Sequence, residues 1–320
     1  MTRYLVRRIA LIVPTAFAAS IVVFLVMRAL PGDVALAILA DTPHTVEIRE
    51  ALRDELGLND PLVTQYLRWM ASMMSGRFGG ASLETGEPVG TIVGRQLSVT
   101  ALLAAYTVAV SLLVAVPLGV AAAMRRGTVF DRAVQGFAAG SLAVPTVFAS
   151  LLLVWVLLRL FRWSPPIIYS SPGEDLLEHA EIMIWPALLL AAAYLPHLLR
   201  VTRARLIDVL QSDFADAARA RGLSELGVVV RHALPNATVA LITVAGLQFG
   251  TLMSGALVVE TVFGLPGLGR GIVHAALARD YPVVQSAAVV LVVLVLCANL
   301  LVDLAYAVVD PRVHYERRAS

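Results

Sequence analysis

The sequence predicts an all-α membrane protein with six transmembrane helices and an external helical loop after the first of them. Of its 320 residues, 58% are hydrophobic and only 15% are charged, a composition too apolar for an ordinary soluble domain. Six runs lack Asp, Glu and Arg and approach the roughly 20 apolar residues that cross a bilayer. The arginines gather in alternate connecting segments, which is the pattern of a multi-pass membrane protein.

The first predicted span competes with a cleaved signal peptide. An apolar core between the arginines at 3, 7 and 8 and the small residues at 16–18 has the signal-peptide pattern. The apolar run continues to Met27, which favours a retained helix. The six predicted spans are Ile9–Met27, Gln96–Met124, Ala133–Leu158, Ile182–Leu199, His232–Val259 and Tyr281–Val302.

The placement of the arginines orients these spans. With a cytoplasmic N-terminus, fifteen arginines fall in cytoplasmic segments and four in outside segments, leaving aside the long first loop. Both termini are therefore expected in the cytoplasm. The chain then divides into an N-terminal tail and first span (1–27), an external helical loop (28–95) and a five-span core (96–320) that carries a cytoplasmic loop at 200–232.

The external loop is expected to contain two short helices. The first starts at Thr42-Pro43 and stops at Gly57, because Thr is a good cap and Pro suits a first turn. Its apolar face consists of Ile48, Leu52 and Leu56. The second covers Pro61–Met74, with an apolar stripe formed by Leu62, Tyr66, Trp69 and Met73.

The residue types also exclude several functions. All 25 basic residues are Arg, so the chain has no Lys for a nucleotide-binding loop or a Schiff base. Cys297 is the only cysteine, which excludes an intrachain disulfide and a thiolate metal cage. We therefore expect no catalytic residue, no metal site and no bound cofactor on this chain.

The cytoplasmic loop at 200–232 carries the most informative pattern. A short helix is expected from Asp213 to Gly222, a residue that suits a left-handed helix end. Phe214, Ala217 and Ala218 fall at i, i+3 and i+4 and share one face. Ser212 or Asp213 can cap this helix, and Ser224 can cap the next one. The pattern predicts an exposed apolar knob, although an ordinary amphipathic connector fits the helix alone equally well.

This loop resembles the "EAA" loop of permease subunits of ATP-binding-cassette (ABC) importers. The matching residues are Asp216-Ala217-Ala218, Gly222 and Arg231–Asn236, with Asp216 where the family usually has Glu. In that family the loop forms a coupling helix that docks into a groove of a separate ATPase subunit. The resemblance implies an ATPase-coupling role for Asp213, Phe214, Asp216, Ala217, Ala218, Arg219, Arg221, Gly222, Leu234 and Pro235.

Further stretches extend the resemblance along nearly the whole chain. It is closest to the dipeptide, oligopeptide and nickel group of permeases, and to the first of the two paired permeases found there. The stretches are Arg28–Asp33, Leu56–Pro61 with Gln65-Tyr66, Pro117–Val120, Glu260–Gly269, Arg279–Gln285, Asn299–Leu304 and Asp310–Arg312. Each is weak alone, but together and in order they are highly specific.

The resemblance implies the type I ABC importer permease fold in a bacterial cytoplasmic membrane. It also implies four partners: a second homologous permease, two ABC ATPase subunits or domains, an external solute-binding protein and the lipid bilayer. ATP and Mg are used by the ATPase subunits, and no nucleic acid is involved. The expected solute is a di- or oligopeptide, with nickel or glutathione as alternatives in the same group.

Polar residues of the fifth span are the candidates for the translocation path. Gln248, Thr251 and Ser254 recur every three residues and drift around one side of the helix, and Glu260 follows. Such side chains either line a watery path or bond to neighbouring helices. Span five borders the path in the resembled family, which leaves the two interpretations balanced. A Gly- and Pro-rich turn at 264–269 should end this helix before a short outer helix at Ile272–Ala278.

Two other classes of protein fit less well. A membrane protease would need Gly-x-Ser-Gly with a partner His, or His-Glu-x-x-His, and neither string occurs. A single-chain secondary transporter usually shows repeated halves around buried charges, and no such halves are visible. The sequence therefore favours a permease subunit that depends on separate ATPases.

Overall fold

The computed structural model describes residues 2–29, 39, 45–55 and 57–309, with the backbone alone at 2–9 and 306–309. Regular structure in this part of the chain is helical, apart from one β-bridge between Ala81 and Pro88. The helices are α1 (Thr2–Ala29), α2 (Val46–Glu55), α3 (Leu62–Met74), α4 (Val89–Met124), α5 (Val129–Ala143), α6 (Thr146–Val156), α7 (Leu176–Leu210), α8 (Asp213–Ala220), α9 (Glu225–Val228), α10 (Leu234–Leu247), α11 (Phe249–Phe263), α12 (Leu268–Leu277) and α13 (Tyr281–Val309), with π-helical turns at Leu157–Phe161 and Val229–Ala233. The all-α prediction is confirmed.

Several helices are long and apolar enough to cross a bilayer. Among the described residues five qualify alone, and two pairs qualify only when a broken helix is joined. The five are Ala10–Ala29, Val89–Met124, Leu176–Leu210, Glu225–Leu247 and Tyr281–Ala305. The described chain therefore holds between five and seven candidate spans, a range that includes the predicted six.

The predicted third span is not one straight helix. Ala133–Leu158 was expected to be continuous, but the chain bends by 103° between α5 and the helix that resumes at Thr146. Val144 is extended (φ −92°, ψ 121°) and precedes Pro145, which has no N–H to donate. The steric preference of the residue before proline explains the break.

The predicted fifth span is also divided. His232–Val259 begins in a π-helical turn, continues as α10 and is interrupted at Gln248 before α11 begins. Gly246 and Gly250 flank the interruption, and glycine has a low helix propensity. The remaining four predicted spans lie inside continuous helices.

The contacts divide the chain into two compact units. Among the described residues, unit 1 comprises 2–6, 102–265 and 297–309, and unit 2 comprises those within 7–101 and 266–296. In unit 1 the long helix α7 packs against α5, α10 and α11. The core of unit 2 includes the fully buried residues Val89, Leu268 and Ala287. The predicted boundaries of the external loop, at 27/28 and 95/96, depend on where the membrane lies. They stay predictions.

The two short helices of the 28–95 segment are confirmed where the structure describes them. Helix α2 ends before Gly57, whose φ of +64° is left-handed, and α3 starts after Pro61. Tyr66 and Trp69 pack on Phe24 with ring centroids 5.4 and 6.1 Å away. Leu62, expected in the same stripe, is exposed instead. The predicted start at Thr42-Pro43 and the contact of Leu56 lie outside the described residues.

A buried ion pair fixes α5 on α7 in unit 1. Arg203 donates from Nε and Nη2 to the two carboxylate oxygens of Asp131, at 2.6 and 2.7 Å. The Gly127 N–H also donates to Asp131, at 2.9 Å, and Asp131 is only 3% exposed. Arg203 lies inside the predicted cytoplasmic loop at 200–232, and α7 ends seven residues beyond it, before the predicted coupling helix.

Candidate functional site

The predicted coupling element is a separate helix, α8, in unit 1. Ser212 stands at its N-cap position, but the Ser212 hydroxyl donates to the Val209 carbonyl at 2.6 Å and caps nothing. The helix ends at Ala220 with Arg221 at its C-cap position, and Gly222 takes a left-handed φ of +84°. The predicted helix and its glycine end are therefore confirmed.

One face of α8 packs inside the loop. Ala215 and Ala218 are 0% and 5% exposed and contact Val228 of α9. This corrects the expectation that Ala218 shares the exposed face with Phe214 and Ala217. Ala215 and Ala218 form the i, i+3 stripe that α9 covers, so Ala218 cannot touch a partner directly.

The opposite face of α8 is open. Phe214 is 54% exposed, and Asp213, Ala217 and Arg221 are exposed beside it. The Phe214 ring meets the ring of His232 edge to face, with centroids 5.1 Å apart. The predicted apolar knob therefore exists, although it consists of Phe214 and Ala217 alone.

Arg219 joins separate parts of the coupling loop by hydrogen bonds. Its guanidinium donates to Asp216 at 2.7 Å, to both Glu225 oxygens at 2.7 and 3.2 Å, and to the Leu210 carbonyl at 3.1 Å. The bonds to Glu225 first, and then to Asp216, hold the pKa of Arg219 above its usual range. Arg219 is therefore engaged within the loop, whereas Asp216 and Arg221 are exposed and their pairing with a partner stays a prediction.

Glu225 is a site residue that the sequence analysis missed. It lies six residues after Arg219, beyond the glycine turn, so no helical spacing links the two. The sequence feature that could have pointed to Glu225 was its position directly after Ser224, the predicted cap of the next helix. The Ser224 hydroxyl accepts the Gly227 N–H at 3.2 Å, which confirms the predicted cap.

The second half of the loop leads into α10 through the π-helical turn at Val229–Ala233. Leu234 is half-buried and Pro235 is exposed, both in the first turn of α10. Proline is tolerated there because the first N–H groups of a helix have no internal partner. The predicted coupling residues therefore lie in one continuous segment, with Leu234 and Pro235 at its end.

Three of the four predicted path residues line one cavity in unit 1. Gln248, Thr251 and Ser254 border a space of about 260 Å³, together with Tyr194 and His197 of α7. Glu260 does not border this space and is fully buried. It lies nine residues after Thr251, roughly 180° around the helix at about 100° per residue. Glu260 is therefore corrected from a lining residue to a buried one.

The short outer helix expected at Ile272–Ala278 begins earlier, as α12 at Leu268. Gly264 is left-handed (φ +71°) and Gly267 is extended, so the turn is shorter than the predicted 264–269. Among the described residues, no group of three or more His, Cys, Asp or Glu side chains has an arrangement that could hold a metal ion.

Membrane-length helices joined by a compact polar loop with a surface helix define a multi-pass membrane protein of the permease class. A chain of the MetNI methionine ABC transporter, solved in inward-facing conformations, has a similar fold: the TM-score is 0.52 over 68% of this chain and 94% of that chain, at 18% identity. Residues 1–113 match the N-terminal model, and residues 115–315 the main model, of the binding-protein-dependent transport system inner membrane component. The chain belongs to this family.

Relatives of nearly equal length support the assignment. The probable peptide ABC transporter permease y4tP of Sinorhizobium fredii is 36% identical over 98% of this chain and 99% of its own. The oligopeptide permease AppB of Bacillus subtilis is 34% identical over 98% and 100%. The dipeptide permease DppB of Escherichia coli is 32% identical over 99% and 100%. The predictions of an ABC importer permease and of a component that is not itself the ATPase are confirmed.

Proposed function

We propose that this chain and a second, similar permease form the path by which di- or oligopeptides cross a bacterial cytoplasmic membrane. The observation that carries this proposal is the full-length similarity to permeases that are named for peptide transport. An external binding protein delivers the solute, and two ATPase subunits supply ATP and Mg chemistry from the cytoplasm.

The proposed orientation puts both termini and α8 in the cytoplasm. The fifteen-to-four distribution of arginines supports it. Helices α2 and α3 then lie outside, where a binding protein arrives.

The exposed face of α8 is the proposed contact with the ATPase. Phe214 offers an aromatic anchor, and Ala217 beside it permits close approach. Asp213 and Arg221 flank the anchor with opposite charges, which suits a polar rim around an apolar centre. Asp216, Ala218, Arg219, Gly222, Leu234 and Pro235 then act by holding this face in place.

In the proposed cycle, transport depends on contacts between α8 and the ATPases that differ between the open and closed states of the ATPases. Closure of the ATPases on ATP moves α8, and the helices that line the path respond because only one of their arrangements fits the closed ATPases. Gln248, Thr251 and Ser254 are the proposed lining residues, since they already border one cavity.

Reconstitution tests both the solute and the energy source. Liposomes containing the permease pair and the ATPases should accumulate labelled alanyl-alanine or tetra-alanine only with ATP and the binding protein. Accumulation of Ni²⁺ or glutathione in place of peptides would assign one of the alternative solutes. Uptake by the permeases without ATPase subunits would instead indicate a secondary transporter.

A further inference from the structure

Unit 2 contains a cavity that the proposed transport cycle does not use. It measures about 430 Å³, within the usual range for small-molecule sites. Helix α1 contributes Phe24 and Arg28, α3 contributes Gln65 and Trp69, and the start of α13 contributes Gln285. The cavity is thus built from three elements distant in sequence.

Buried polar atoms without partners concentrate around this cavity. In the described part of the chain, seven buried side-chain nitrogen or oxygen atoms have no hydrogen-bond partner, and four belong to lining residues. These four are Arg28 Nε, Gln65 Oε1, Trp69 Nε1 and Gln285 Nε2. Gln65, Trp69 and Gln285 are only 7%, 8% and 4% exposed. Each such atom costs about 1–3 kcal/mol when left unpaired, so the cluster calls for an explanation.

The hydrogen bonds of Gln65 show that its unpaired atom, Oε1, is an acceptor. Its Nε2 donates to the carbonyls of Leu58 and Asp60, at 3.1 and 2.7 Å, which uses both amide hydrogens. Its Oε1 is therefore an acceptor that needs an N–H. Trp69 Nε1, Gln285 Nε2 and Arg28 Nε are donors that need an oxygen.

The charge of the lining favours an anionic oxygen. Arg28, Arg68 and Arg77 border the cavity, and its lining contains no acidic residue. The Arg28 guanidinium lies over the rings of Phe24 and Tyr281, 5.4 and 5.7 Å from their centroids, which holds it in place. Arg68 is partly neutralised by Asp60 at 2.9 Å, outside the lining.

We propose that this cavity binds a small zwitterionic ligand, whose oxyanion meets Arg28, Trp69 and Gln285 and whose N–H donor meets Gln65. An amino acid or a dipeptide has this chemistry, and so does the headgroup of phosphatidylethanolamine. The inference rests on the proposed function only for the choice of a dipeptide as the first probe. Because the four unpaired atoms are themselves buried, the proposal requires their side chains to rotate towards the ligand on binding.

Binding can be measured on the complex of permeases and ATPases, without the binding protein, in phosphatidylcholine nanodiscs. Thermophoresis should show alanyl-alanine binding, and alanyl-alanine amide, which lacks the carboxylate, should bind at least about tenfold more weakly. Equal affinity for the two probes, or no binding of either, would overturn the proposal. Competition by added phosphatidylethanolamine would assign the same chemistry to the lipid headgroup.

Two variants test whether the ligand binds in this cavity. Trp69→Phe removes the indole donor and keeps an aromatic ring, so affinity should fall about tenfold. Trp163→Phe, in an aromatic cluster of unit 1, is the matched control and should leave affinity unchanged. Gln285→Leu removes an unpaired amide, so it should weaken binding without lowering the melting temperature of the free complex.

Unchanged affinity in both Trp69→Phe and Gln285→Leu would refute the site. A ligand held instead by the path residues would respond to Thr251→Val and not to these two variants, which also counts against the site. The binding assay does not depend on ATP-driven peptide uptake. A failure of the proposed transport function, measured by uptake into liposomes, is therefore distinguishable from a failure of this site.

Discussion

Gly222 offers the sharpest test of the coupling loop. Its φ of +84° is left-handed, and a Cβ built there meets no atom within 4 Å. A substitution therefore adds backbone strain without a clash. The strain is roughly 1–2 kcal/mol for a residue with a Cβ, a factor of about 5–30 in the population of the native turn. Gly222→Val should suffer most, because β-branched residues are rare outliers at positive φ.

The expected result is a graded loss of coupling. Gly222→Val should reduce co-purification of the ATPases and lower uptake in parallel, while the amount of permease in the membrane stays near normal. Gly222→Asn should retain most activity, since Asn tolerates the left-handed region. Gly136→Ala, in open space on α5, is a control expected to behave like the parent. Full ATPase association and full uptake with Gly222→Val would refute the reasoning.

Three further predictions concern docking, packing and topology. Ala217→Trp should block ATPase docking at a normal melting temperature, whereas Ala218→Trp should lower that temperature because Ala218 is buried; equal thermal effects in a detergent melt would contradict the assigned faces. Asp131→Asn should destabilise the permease by about 3 kcal/mol in denaturant or thermal unfolding, because it leaves Arg203 without its buried partner; an unchanged midpoint would show that the pair contributes nothing. In a Cys297→Ser background, an impermeant maleimide added to intact cells should label Met74→Cys and not Ser224→Cys, both positions being exposed; the reverse labelling would invert the proposed orientation.

The local features of the loop could be predicted because they depend on neighbouring residues. A helix that begins near Asp213, a glycine that ends it and a serine that caps the next helix are decided within a few residues. Similarly, the long apolar helices follow from composition over about 20 residues. These elements confirm the sequence predictions closely.

Other features depend on contacts that sequence spacing does not encode. Ala218 faces inward because α9 folds back over α8, and spacing alone does not choose which stripe is covered. Proline inside an apolar run is compatible with either a continuous helix or a break, so the bend at Pro145 needed the structure. The cavity around Gln65 joins residues more than 200 positions apart, and nothing in their local sequence links them.

The contact between Phe214 and His232 connects the exposed face of α8 to the start of the segment that leads into α10. His232 belongs to the π-helical turn that continues directly into α10, and α10 ends next to Gln248. Sixteen residues separate His232 from Gln248, a length of about 24 Å at helical rise. If α8 docks on the ATPase as proposed, a displacement of the Phe214 ring is expected to pass through His232 to α10, whose far end lies next to the cavity of Gln248, Thr251 and Ser254. In that case, the stiffness of α10 and of the π-helical turn at its base would set how much of the displacement reaches the cavity.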